Sequence, residues 1–168
     1  MRQLIIPLLL LFITSSLIIS TGCKNKCGST TCSNGGTCNN NICICPTGYS
    51  GNSCQTSWAG IAIGTYRCKN SNCNVAVAGP SSWLSVVNAD GTNGGYTLDI
   101  SNFDNNNLTV VATIDHSKNG TSVIHISSSN GVNATGSFDS TTSTINLQFA
   151  VYSGGTATYR CNMVMVKQ

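Results

Sequence analysis

The side chains able to do chemistry in this 168-residue chain are ten cysteines, five aspartates and two histidines; glutamate is absent. Closely spaced cysteines either cross-link in an oxidising compartment or hold a metal. From Cys27 the spacing runs C-x4-C-x5-C-x4-C-x1-C-x8-C through Cys32, Cys38, Cys43, Cys45 and Cys54. No C-x2-C pair and no neighbouring histidine accompany it, so the donor grouping of a zinc site is missing and disulfides are expected. Residues 23–56 contain no carboxylate, so no calcium site is expected there either. Spacing alone does not choose among the possible cysteine pairings.

Catalysis by acid, base or nucleophile needs such groups brought together in tuned surroundings. Asp115 and His116 adjoin in sequence, and neighbours on a strand point to opposite faces, so adjacency does not make them a dyad. His125 lies between Ile124 and Ile126 and reads as an outward polar residue between two inward isoleucines. Asp104, followed by three asparagines, reads as a solvated turn. Neither G-x-S-x-G nor H-E-x-x-H occurs. No enzyme activity and no cofactor are expected. Arg2, Lys24, Lys26, Arg67, Lys69, Lys118, Arg160 and Lys167 are scattered and form no basic stripe with aromatics, so nucleic acid is not an expected partner.

The elements that must position these groups begin with a leader. Arg2 precedes an apolar run from Leu4 to Ile19, broken by Pro7, Thr14, Ser15 and Ser16, and Ser20, Thr21 and Gly22 follow. That order is a secretory signal peptide over residues 1–22; the run falls short of the ~20 apolar residues that span a bilayer. "STGC" at Ser20–Cys23 resembles the lipobox of bacterial lipoproteins, with Ser20 where Leu is usual. The resemblance implies cleavage after Gly22, lipidation of Cys23 and a membrane partner reached through it. Lys24 rather than Asp follows the cysteine, which implies a cell-envelope, outer-membrane lipoprotein facing either periplasm or cell surface.

The stretch from Cys27 to Cys54, with "NGGTC" at Asn34–Cys38 and "CPTGYSGNSC" at Cys45–Cys54, resembles an EGF-like domain. That implies the pairs Cys27–Cys38, Cys32–Cys43 and Cys45–Cys54. So short a module cannot bury enough apolar surface to fold unaided. Ile42, Ile44 and Tyr49 are its only large apolar side chains, so staples must hold it, at about 3 kcal/mol each. Residues 23–56 are read as this module, acting chiefly as a spacer and alternatively as a protein-contact surface.

Residues 57–168 change character. Strand-like runs of Val, Ile, Thr and Tyr alternate with turn clusters such as "DGTNGG", "DNNN" and "SGG". The expected fold is all-β throughout: the disulfide-rich module, then an antiparallel up-and-down barrel or sandwich of about eight strands. "WAGIAIGTYRC" at Trp58–Cys68 and "CNVAVAG" at Cys73–Gly79 are read as its first strands. "TYRC" occurs at Thr65–Cys68 and again at Thr158–Cys161; closure would bring these segments side by side, with Tyr66, Cys68, Tyr159, Cys161, Met163 and Met165 inward. The Trp-Gly start, strand count and closing "TYRC" resemble lipocalin-like small barrels. Cys68, Cys73 and Cys161 supply a possible further disulfide whose pairing stays open.

The functional expectation is a non-enzymatic lipoprotein whose module presents the β-domain to a small apolar or glycan ligand, or, as the alternative, a structural or adhesive surface protein. Trp58, Trp83, Tyr66, Tyr96 and Tyr159 are candidate pocket residues, with the core as their simpler place. Asn107, Asn119 and Asn133 begin N-x-S/T sequons, and "DST" at Asp139–Thr141 resembles a bacterial O-glycosylation site. Oligomeric state is not legible.

Overall fold

In the N-terminal module two asparagines, Asn40 and Asn41, take φ of 50° and 65°, the left-handed pair that a tight two-residue hairpin turn requires. They join β1 (Thr37–Asn39) to β2 (Ile42–Ile44). Disulfides Cys27–Cys38, Cys32–Cys43 and Cys45–Cys54 tie this ribbon to the segments around it. A second pair, β3 (Tyr49–Ser50) with β4 (Thr56–Ser57), ends the module. The computed structural model describes residues 27–76, 80–91, 94–116 and 121–168. The leader, Cys23, Lys118 and Asn119 lie outside them.

Trp58–Ala62 forms a short helix, α1, not the start of a strand. Ser57 caps it by accepting from the Gly60 amide at 2.9 Å, and two alanines on its inner side are fully buried. Side-chain capping and small helix-forming residues outweigh the β-branched Ile61 and Ile63 here. At its other end the Tyr66 hydroxyl donates to the Ala62 carbonyl at 2.7 Å, satisfying a terminal acceptor; burial pushes the Tyr66 phenol up to about 12.

Eight antiparallel strands then close on themselves: β5 (Gly64–Ser71), β6 (Trp83–Ala89), β7 (Thr97–Phe103), β8 (Leu108–His116), β9 (Thr121–Ser129), β10 (Val132–Asp139), β11 (Thr144–Ser153) and β12 (Thr156–Lys167). Closure comes from β12 pairing with β5, so the domain is a barrel and not a sandwich. The first and last strands are neighbours, but the two TYRC segments are not: Cys68 faces Met165, and Cys161 lies one residue beyond the Asn162–Ser71 pair. Antiparallel pairing sends the two copies to opposite ends. Residues 73–76 form no strand.

Period-two alternation fills the interior. Ile100, Ile114, Ile124, Phe103, Phe138, Ile145, Leu147, Met163 and Met165 are buried, and Phe103, Phe149 and Tyr159 stack edge to face in sequence, with centroids 5.1 and 5.9 Å apart. Tyr66 and Trp83 are buried in this core, and Trp58, Tyr96 and Tyr159 pack against it, so the aromatic residues serve the core before any ligand. α1 closes the barrel end nearest the module, contacting β6 and β8.

The module is seated on that end. The Trp58 amide donates to the Gly48 carbonyl and the Ala59 amide to the Gly95 carbonyl, both at 2.8 Å. Gly48 has φ +93°, and a Cβ there would stand 2.0 Å from the Gly94 carbonyl oxygen; only glycine permits this approach.

Candidate functional site

The outer wall of the barrel carries a row of hydrogen-bonding side chains set by strand register. Thr113 faces His125, His125 faces Thr135, Thr135 faces Gln148, Gln148 faces Asn162, and Asn162 faces Ser71. Directly opposed residues share a face, and their inward neighbours Ile124, Ala134, Leu147, Phe149, Cys161 and Met163 are buried. The row therefore runs across six adjacent strands on the solvent side. Within it the Thr135 hydroxyl meets His125 Nδ1 at 3.4 Å. His125 is outward between two buried isoleucines.

Two concave regions lie along this wall. One, of about 700 Å³, is bordered by Asn72, Ser127, Asn133, Gln148, Tyr152, Arg160 and Asn162 among others. The second, of about 370 Å³, continues from it through the shared Thr135, Gln148 and Asn162. Gly136 borders the second region; a Cβ on it would lie 1.9 Å from the Asn146 carbonyl oxygen, so glycine lets β10 and β11 approach closely there. The larger region lies toward the ends of β5, β9 and β11 and the starts of β10 and β12. The module sits at the other end, where β5 begins and β12 finishes.

Arg160 is the cation of the larger region, and its backbone is held from both sides. Its carbonyl accepts from the Asn74 amide at 3.0 Å, and its amide donates to Asn74 Oδ1 at 2.7 Å. The disulfide Cys73–Cys161 fixes the same segment against β12. Of the three cysteines left open by spacing, Cys68 is the one without a disulfide: it is buried, its thiol donates to Ser85 Oγ at 3.2 Å, and Ser85 Oγ donates on to the Asn102 carbonyl at 3.0 Å. Burial pushes the Cys68 thiol up, the Ser85 hydrogen bonds opposing it. Cys68 and Cys73 do not face each other across a hairpin, because β5 continues to Ser71 between them.

Asp104 departs from the solvated turn expected of it. It is 5% exposed, accepts from Asn70 Nδ2 on one oxygen and from the Tyr159 hydroxyl on the other, and sits at φ 52° in a turn with Asn102, Asn105 and Asn107 also left-handed. Burial raises its carboxyl, and the Asn70 hydrogen bond partly offsets this. The asparagine run supplies the left-handed turn that folds Asp104 back under the barrel end. No sequence period marks that inward fold.

Asp115 and His116 do not converge either. His116 Nδ1 meets Ser122 Oγ at 2.9 Å, and its ring lies 6.3 Å from that of Trp58. Among the described residues no three His, Cys or Asp side chains gather as a metal site. Chemically, the two concave regions offer amides and hydroxyls, which both donate and accept, with Arg160 as their one guanidinium.

Residues 27–53 match the family model described as EGF-like domain. No curated protein and no solved structure matches the chain. The chain thus combines a disulfide-rich EGF-like module with a closed eight-stranded antiparallel barrel, an architecture that fits a binding role and an extracellular or envelope location.

Proposed function

We propose that this chain is a non-enzymatic outer-membrane lipoprotein: Cys23 carries the lipid, the EGF-like module joins it to the barrel, and the barrel's outer wall binds a glycan. The observation that carries the binding reading is the registered row Thr135–Gln148–Asn162–Ser71 along an open groove. Sugar hydroxyls donate and accept at once, as do amide side chains. The named groove residues include no carboxylate, which favours binding over acid–base chemistry. The lipocalin-like resemblance would put a ligand inside; here apolar side chains occupy the interior, which counts against an internal ligand and toward the structural alternative, so a bound glycan would have to meet the outer wall. Its larger concavity also lies at the barrel end away from the module, as a presented site should.

Glycan-array binding of the purified chain tests this. Binding to one or a few glycans, reduced at least tenfold by Gln148→Ala with Asn162→Ala while thermal unfolding stays unchanged, is the expected result; a tenfold loss corresponds to about 1.4 kcal/mol. Retained affinity in the double variant would move the site elsewhere. For the anchor, Cys23→Ala should shift the protein from the membrane to the soluble fraction, and an unchanged membrane fraction would overturn lipidation.

A further inference from the structure

Ile42 and Ile44 are the most exposed large apolar side chains of the described chain, at 69% and 57%. Register places Thr37 opposite Ile44 and Asn39 opposite Ile42, so these four side chains share one face of the β1–β2 ribbon. The opposite face is taken by Cys38 and Cys43, each cross-linked, to Cys27 and Cys32. No charged side chain occurs from Cys27 to Thr56. A protein partner is usually steered and set in register by charged groups around an apolar centre. A lipid surface needs apolar side chains and no such guide.

Covalent links fix how far this face is from the proposed anchor. Cys27 and Cys38 have Cα atoms 6.1 Å apart, Cys38 is the cross-strand partner of Cys43, and Cys43 stands between the two isoleucines. With about 5 Å between paired strands and about 3.8 Å per residue, the isoleucine backbone is at most about 15 Å from Cys27. The chain from Cys23 to Cys27 spans at most about 14 Å. Lys24 and Lys26 lie in that tether, where cations favour anionic headgroups.

We propose that the Ile42–Ile44 face rests on the bilayer in which lipidated Cys23 is anchored, so that the module lies against the membrane as a second, non-covalent contact. The inference rests on the lipidation put forward above. Once the lipid is inserted, the apolar pair is held within about 30 Å of the anchor, so its contact no longer carries the cost of bringing a free molecule there.

The test is methyl NMR of the full mature chain in nanodiscs containing doxyl-labelled phosphatidylethanolamine and phosphatidylglycerol. The δ1-methyl signals of Ile42 and Ile44 should broaden severalfold more than those of the buried Ile100, Ile124 and Ile145. The Cys23→Ala protein, added to the same nanodiscs, should show no such difference. Intact mass of the sample separates the two claims. Without an acyl mass on Cys23 the anchoring reading fails, and this inference with it. With the acyl mass present but Ile42 and Ile44 broadened no more than Ile124, the membrane contact alone is overturned. Broadening that grows with protein density on the disc would instead assign the face to a second copy of the chain, and would equally overturn the proposal.

Discussion

"Ile-Cys-Ile" at Ile42–Ile44 and "Ile-His-Ile" at Ile124–Ile126 share one pattern, two isoleucines two residues apart on a strand. Their outcomes are opposite. Ile42 is 69% exposed and Ile124 is fully buried. In the module the middle residue, Cys43, points to the side where disulfides hold the segments together, and the isoleucines take the other face. In the barrel the isoleucines join a continuous apolar cluster and His125 takes the water. Alternation sets which residues share a face. Which face is inside depends on what holds that region together: covalent links in one, buried area in the other.

Reduction should separate the two regions most sharply. The module has three disulfides and little buried apolar surface, so thiol reductant should unfold it completely. The barrel loses only Cys73–Cys161 and keeps its core. Hydrogen exchange after reduction should show full exchange of amides in residues 27–54 and continued protection in β7 to β9; collapse of both together would mean that the seating of the module on α1 supports the barrel. A smaller effect separates single side chains. Phe138, 1% exposed, should cost about 3–5 kcal/mol when replaced by Ala. Ile44→Ala should leave denaturant stability within about 0.5 kcal/mol. A large loss at Ile44 would show that the module rests on apolar burial after all.

The legible parts of the chain were those where a local pattern has only one physical outcome. The period-two runs Thr121 to Ser129 and Thr156 to Lys167 are strands, with the isoleucines beside His125 and with Cys161, Met163 and Met165 inward as expected. The cysteine spacing likewise pointed to the module that the family comparison matches. What stayed hidden depends on distant parts of the chain. Trp58–Ala62 looks strand-like, but its helix depends on a single capping serine and on room at the barrel end. Cys73 pairs across 88 residues with Cys161, a partner that no local spacing marks. The polar part of the groove is built from outward side chains of five strands. Such residues look like ordinary solvent-facing Thr, Asn and Gln until closure sets them side by side.

Asp104 and Asp139 extend the same contrast to single carboxyls, and pH should tell them apart. Asp139 is half-buried at the end of β10, and its turn amides and hydroxyl, the Thr141 amide first, hold its carboxyl below the ordinary value of 3.8. Its stabilisation is present above that value and fades as pH falls through the lowered folded pKa. Asp104 behaves inversely. Burial raises its folded pKa above 3.8, so the folded state binds the proton more tightly than the unfolded chain does. Its contribution is complete below the unfolded value and declines as pH rises through the raised folded value. Asp104→Asn removes that titration, and Asn70 can turn its otherwise unpartnered Oδ1 toward the new NH2 while the new amide oxygen still accepts from the Tyr159 hydroxyl. Across denaturant melts from pH 3 upward the variant should therefore gain stability relative to the parent, because only the parent chain loses stability at Asp104. A difference independent of pH would show that Asp104 holds the same charge folded and unfolded, and that its place under the barrel is set by its two hydrogen bonds alone.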